Sequence, residues 1–353
     1  MILSDLTLQN FRSYTKRSFS FSPVITLVIG PNASGKTNII EAIYLLATGK
    51  SFRAERDSDM VSWGSQVARA KAELSDNMLE IVLTGGTIEG HRVPTKKYLV
   101  GGVARRMIDF VGHLPAVLFW PEDLELVTDS PSRRRRYLDS VLTQVDREYR
   151  RNLMSYERGL RQRNRLLDLV NEGKAARQQL LFWNQLLIKA GGYLTDKRAQ
   201  FIDFINTTKL SSISYSISYD KSVISESRLV QYADEEVAAK ATLVGPHRDD
   251  FSFDMIYQRQ ARNLTSYGSR GEQRLGVLWL KLAELTYIER TTHNRPILLL
   301  DDIFSELDRE HRQLVRQLVL EQQTVITSSD EQVETLVAGG RRQGMAIIRL
   351  PSV

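Results

Sequence analysis

The sequence predicts an α/β fold of more than one lobe, with a helical hairpin set into it. Three observations predict it. The apolar run Val24–Ile29 gives way to a glycine-bracketed loop and then to an amphipathic stretch, Thr37–Ala47. A second apolar run, in "RPILLLDDIFSELD" (Arg295–Asp308), ends in two adjacent carboxylates. Between them, apolar residues recur at helical spacing from Tyr137 to Ile205, broken by the turn chemistry of "NEGK". At 353 residues the chain can bury a sizeable core.

The loop comes first. Gly30, Pro31, Asn32, Ala33, Ser34, Gly35, Lys36 and Thr37 satisfy G-x-x-x-x-G-K-[ST], and Asn38 follows in the helix. Such a loop turns its backbone N–H groups around β- and γ-phosphates, and its glycines admit close approach. Lys36 supplies a point charge, and the Thr37 hydroxyl suits Mg²⁺. The helix that follows points its positive dipole end at the same anion. The context is the required one: a buried strand before the loop, and Ile39, Ile40, Ile43 and Leu46 at helical spacing after it.

The loop alone does not choose among kinases, GTPases and ATPases. The acidic strand narrows the field: Asp301 is placed to hold Mg²⁺, and Asp302 to orient or deprotonate an attacking water. No N-K-x-D-like guanine reader is present. Upstream, Ser269, Gly271, Glu272 and Gln273 open a helix with Leu275, Leu278, Leu282 and Leu285 on its apolar face. A serine and a glycine at a helix start serve either as an ordinary N-cap or as a second anion site.

Composition excludes several classes. There is no cysteine, hence no disulfide, thiolate nucleophile or cysteine–zinc site. That suits a reducing cytosol, and the cytoplasm is the expected location. The N-terminal stretch lacks the apolar core of a signal peptide, and no run approaches a membrane span. The net charge is +6, yet Pro131–Arg165 alone carries eleven arginines against four acids, a local excess of +7. No internal repeat or low-complexity linker is visible.

The order of motifs (phosphate loop, S-x-G-[EQ]-Q, strand-DD, "SELD") resembles the ATP-binding-cassette ATPases, in the branch that includes the SMC proteins. Within that branch the chain is similar to the RecF family. "LQNFRSY" (Leu8–Tyr14), "GKSFR" (Gly49–Arg53), "PEDLELV" (Pro121–Val127), "SPSRRRRYLD" (Ser130–Asp139) and "GPHRDD" (Gly245–Asp250) carry this closer likeness, which spans nearly the whole chain. It implies a two-lobed head. Lobe I would be residues 1–120 with 290–353; lobe II would be 121–289, with an arm at about 132–208 and the signature segment. It implies that Ser269, with Gly271, Glu272 and Gln273, caps the γ-phosphate held by a second copy, and that Ser305 and Asp308 belong to the loop after the acidic strand. ATP would then join two heads, and hydrolysis would part them. Recombinational repair of double-stranded and gapped DNA, with RecR and RecO helping RecA displace single-strand-binding protein, is implied by the likeness alone.

Some positions depart from the family pattern. Asp302 stands where most of these ATPases have glutamate, which predicts slow turnover. The usual glutamine that bridges Mg²⁺ and the γ-phosphate is absent near "LFWPEDL", and Glu122 is the candidate in its place. The switch histidine is missing; Thr327, Ser328 and Ser329 stand there instead. Arg12 is either a phosphate contact or a surface arginine on an edge strand.

The hairpin reads as a helix from Tyr137 to Val170, about 50 Å long at 1.5 Å per residue, then a second helix through Ile205. That is far short of an SMC rod. Arg133, Arg134, Arg135 and Arg136 follow a Ser-Pro cap and oppose the helix dipole. They suit DNA phosphate or nucleotide, or form a solvated turn paired with Asp139 and Glu122. Lys50 and Arg53 are further DNA candidates. His247 and Arg248 favour a structural turn over metal or acid–base chemistry, and Ser211–Asp220 alternates as a strand beside the arm. Two rivals stand against a DNA-binding ATPase. One is a membrane-transporter ATPase subunit, opposed by the missing histidine and the arginine-rich hairpin. The other is a scaffold with a vestigial ATP site.

Overall fold

The structure is a computed structural model, and it describes residues 2–209, 214–257, 260–305, 315, 319–338 and 344–351. The chain divides into two compact units, Met1–Asp123 with Ile288–Val353, and Leu124–Tyr287.

The first unit holds two larger sheets. One is antiparallel, ordered Tyr14–Ser20, Leu3–Phe11, Val67–Leu74, Met78–Thr84, Lys96–Val100, Val103–Arg105. Val67–Leu74 alternates inward and outward residues, as a strand with one covered face should. The other is parallel, ordered Ala116–Phe119, Ile297–Asp301, Thr324–Ser328, Ile25–Ile29, Met345–Arg349. Its three central strands are buried at every position, the mark of a parallel sheet covered on both faces. The helix Lys36–Thr48 packs among strands of both sheets. Ile39, Ile40, Ala42, Ile43, Leu45, Leu46 and Ala47 are buried around its whole circumference. It ends at Gly49, whose φ of 74° is left-handed and whose N–H caps Leu45 O at 2.8 Å.

The second unit is built on helices Pro131–Val145, Arg147–Asn171 and Leu181–Thr207, and a three-stranded antiparallel sheet of Ser214–Asp220, Asp250–Tyr257 and Gln260–Asn263. Ser214–Asp220 forms the predicted strand beside the second arm helix; positions 211–213 lie outside the described residues. The single helix expected from Tyr137 to Val170 is two. Asp146 adopts an extended conformation (φ −123°, ψ 108°), and its carboxylate accepts from the N–H groups of Glu148 and Tyr149 at 2.8 and 2.9 Å. Aspartate caps a helix start well, so the chain restarts there. The arm helices therefore have 25 and 27 residues, about 37 and 40 Å. Gly159 lets them approach: a Cβ there would meet Leu186 Cδ2 at 2.6 Å.

Arg163 interrupts the apolar seam because it is a buried ion-pair partner, 2 % exposed. It donates to Glu236 Oε2 at 2.6 Å, Thr242 Oγ1 at 2.8 Å and Asn184 Oδ1 at 2.8 Å. The "GPHRDD" turn is a second buried node. Asp249 accepts from Arg198 Nη1 at 3.0 Å and from the Ser222 N–H at 2.8 Å. His247 must donate Nε2–H to the Thr242 carbonyl (3.0 Å), so its Nδ1 accepts from Tyr156 OH at 2.7 Å. Burial pushes the His247 pKa down to about 4. These bonds make the turn structural. Among the described residues no helix is long and apolar enough to cross a membrane.

Candidate nucleotide-binding site

The loop between Ile29 and Lys36 leaves the carboxyl end of a central parallel strand, where open α/β sheets hold ligands. Gly35 takes φ 96°, and a Cβ there would lie 2.7 Å from Tyr14 OH, so a side chain is excluded on both counts. Tyr14 OH donates to Gly35 O at 3.2 Å and fixes the loop from the antiparallel sheet. Ala33 is also left-handed, at φ 65°. Lys36 Nζ donates to Gly30 O and Pro31 O at 2.8 and 2.9 Å, back across the loop. Burial lowers the Lys36 pKa, opposed by the charges of Asp302 and Asp301.

The sheet register brings the acidic strand to this loop. Asp301 pairs with Thr327, and Ser328 with Ile29. Thr37 Oγ1 donates to Asp301 Oδ1 at 3.1 Å, and Thr327 Oγ1 donates to the same oxygen at 2.6 Å. Burial raises the Asp301 pKa against those two hydrogen bonds. Asp302 leaves the strand in a left-handed conformation (φ 51°), and its N–H bonds Thr327 O at 3.2 Å and Thr327 Oγ1 at 3.1 Å. Thr327, one of the three residues in place of a switch histidine, thus holds the Asp301 carboxylate and the Asp302 backbone. Ser328 turns to Asp330 instead, and Ser329 is exposed.

These residues fit a nucleoside triphosphate with its metal. Ser34 Oγ is buried in the loop with no hydrogen-bond partner, a polar atom that a phosphate oxygen would satisfy. Thr37 and Asp301 offer one hydroxyl and one carboxylate, the sparse set that Mg²⁺ takes when phosphates complete its shell. Among the described residues no group of three or more acidic, histidine or cysteine side chains could cage a metal without them.

The flanking arginines converge on a residue that the sequence reading missed. Glu41, wholly buried, accepts five hydrogen bonds. Arg12 Nε and Nη2 donate at 2.8 and 2.6 Å, Arg53 Nε and Nη2 at 3.0 and 2.8 Å, and Ser51 Oγ at 2.6 Å. Burial opposes its ionisation, but these donors outweigh it and hold the carboxyl below its ordinary value. Arg12 therefore sits on a carboxylate, in the turn after a strand that has neighbours on both sides. Arg53 is tied there too, and also bonds Asn38. Lys50 is exposed. A lone acid in a helix that is apolar all round had to find cations, and that was the legible signal. Glu122 is exposed on the turn Pro121–Leu124; it follows Phe119, which pairs with Leu300 beside Asp301.

In the second unit, Ser269 and Glu272 form a reciprocal cap. Ser269 N–H and Oγ–H donate to Glu272 Oε2 at 2.7 and 2.8 Å, and Glu272 N–H donates to Ser269 Oγ at 3.3 Å. Ser269 is exposed, and a Cβ at Gly271 would meet nothing within 4 Å. Gln273 departs from the expected outward role: it is buried, and its amide donates to Leu264 O and Gly268 O at 3.3 Å each. Ser305 closes the turn Ile303–Ser305; its side chain, and Asp308, lie outside the described residues.

The four arginines are mostly engaged within the unit. Arg133 pairs with Glu125 and Asp129, Arg134 bridges Asp250 at 2.7 and 3.0 Å, and Arg135 donates to Asp249 O at 2.8 Å. Arg136 is exposed. The expected pairing with Asp139 gives way because that carboxylate is taken by Arg198 at 2.8 Å.

A phosphate loop facing an acidic strand, in a head with a signature helix and a short arm, defines an ABC-type ATPase head. The chain matches the family described as RecF/RecN/SMC N terminal domain over residues 2–339. It is 38% identical over 380 residues to the DNA replication and repair protein RecF of Thermomicrobium roseum, covering 94% of each chain. To the RecF of Lachnoclostridium phytofermentans it is 35% identical over 342 residues, covering 93% of this chain and 92% of the relative. A solved structure of the recombination mediator protein RecF-ATPrS in the RecFOR pathway superposes with a TM-score of 0.82 at 28% identity, covering 93% of this chain and 92% of that one. The Smc head of Pyrococcus furiosus, at 17% identity and a TM-score of 0.51, shares the fold. The chain belongs to the RecF family.

Proposed function

We propose that this chain is a slow, Mg²⁺-dependent ATPase of recombinational DNA repair that closes as an ATP-bound homodimer on duplex DNA at gaps. The observation that carries the reading is the meeting of Thr37, Asp301 and Thr327 beside the phosphate loop of Lys36. Lys36 binds the β- and γ-phosphates, and Thr37 and Asp301 hold the metal. Asp302 orients the water, and its short side chain accounts for slow turnover. Ser269, exposed at a helix start, caps the γ-phosphate of the second copy, and the open space at Gly271 admits that approach. The RecF relatives' role in replication and repair, and the RecFOR pathway of the solved structure, support the DNA substrate and RecO and RecR as partners. The cytoplasm follows from that role.

Lys36→Met tests the centre of this reading. Sedimentation with and without ATP should show the parent chain pairing with ATP and the variant remaining as it is without nucleotide. A variant that pairs normally with ATP sinks the proposal that ATP joins the heads.

A further inference from the structure

The outward face of the first arm helix carries a row of exposed arginines. Arg147, Arg151, Arg158, Arg161 and Arg165 are all exposed. At 3.6 residues per turn their positions fall within about 40° of one line along the helix. The buried side of the same helix, Tyr149, Leu153, Tyr156, Arg163 and Leu167, lies opposite. Among the described residues Arg151, Arg158, Arg161 and Arg165 have no hydrogen-bond or ion-pair partner, whereas Arg163 is fully engaged inside. Acids near the far end are already neutralised: Asp168 by Lys240 at 2.7 Å and Glu172 by Lys174 at 2.7 Å. Glu157 lies about 80° from that line, four residues before Arg161, and among the described residues no ion pair joins the two.

The stripe is unfavourable for the helix. Arg161–Arg165 are like charges four apart, and Arg158–Arg161 three apart, neighbours on the helix surface that repel. A protein-binding face would need an apolar centre. Here the one strongly exposed apolar side chain is Met154, 46% exposed. From Arg151 to Arg165 the stripe runs about 21 Å at 1.5 Å per residue, a length of duplex that carries about twelve phosphates.

We infer that this face is a phosphate-backbone track for duplex DNA, with Arg151, Arg158, Arg161 and Arg165 as its contacts. The inference rests on the DNA-binding reading above and moves the DNA surface from the inward-turned Arg134 and Arg135 to the arm.

The test uses the full chain with ATP, a duplex DNA probe, and binding measured across a salt series. Replacing Arg151, Arg158, Arg161 and Arg165 by Ser should flatten the plot of log K against log salt by about 0.9 per lost contact, about 3.6 in all. Between 50 and 200 mM salt the parent's affinity should then fall about 150-fold more than the variant's. Replacing the same four by Lys should preserve the parent slope, since charge and not fork geometry sets it. A Ser variant with a slope within about one of the parent's overturns the track while leaving DNA binding intact. Loss of ATP-driven pairing in the Ser variant also overturns it, because the face would then belong to the dimer. A parent chain that binds no duplex DNA with ATP at low salt overturns the functional reading, and the track with it.

Discussion

Glu41→Gln is the most informative substitution in the first unit. Glutamine keeps the shape and removes the charge. Of the five donors on this carboxylate, Arg12 Nη2 and Ser51 Oγ reach Oε1, and the other three reach Oε2. The less costly amide orientation puts nitrogen at Oε1, so at least two donors then face an NH₂ group. Charge-assisted hydrogen bonds contribute about 1.5–3 kcal/mol each, and breaking a buried ion pair costs about 3–5. The Arg12 and Arg53 side chains are 21% and 32% exposed, so water relieves part of their loss. The expected destabilisation is about 2–4 kcal/mol. Urea unfolding would measure it, with hydrogen exchange on Lys36–Thr48 to assign the loss to this unit, and Arg53→Gln in both backgrounds would measure the coupling. The folded carboxyl lies below its ordinary 4.5, so its contribution is complete above that pH and is lost as pH falls through the folded value. The gap between parent and variant should therefore persist from neutral pH to about 5 and close on further acidification. A difference under about 0.5 kcal/mol at neutral pH, or a gap that widens in acid, would refute the reasoning.

Asp302→Asn should leave ATP binding and ATP-driven pairing in place and remove phosphate release; lost binding with residual turnover would instead put Asp302 in the metal shell. His247, lowered from 6.5 to about 4, is neutral in the fold while the unfolded chain takes up its proton first. Stability is thus complete above about pH 6.5 and declines toward pH 4, by up to about 3 kcal/mol from this group. His247→Gln should flatten that decline in unfolding midpoints measured between pH 7 and 4.5, and equal slopes for parent and variant would discard the assignment.

What could be read from the sequence alone was what short stretches decide. The strand, loop and helix around Lys36 need only buried β-branched residues, glycines at close approaches and helical spacing, all within one stretch of chain. The acidic strand and the Ser269 helix start are equally local. The motif order then identified the family, because only that order unites three otherwise ambiguous segments. The break at Asp146 was legible in principle, since aspartate is a good cap, but the apolar spacing ran through it unchanged. Tertiary structure decided which charges are used up inside the fold. Arg134 meets Asp250 across 116 positions, and Thr37 meets Asp301 across 264. Arg12, Arg53 and Ser51 share one carboxylate. Composition records eleven arginines in a basic stretch. Only the folded chain separates Arg134, Arg135 and Arg163, spent on partners within the unit, from Arg151, Arg158, Arg161 and Arg165, which face water. A charge finds its partner through contacts that the linear order of residues does not contain.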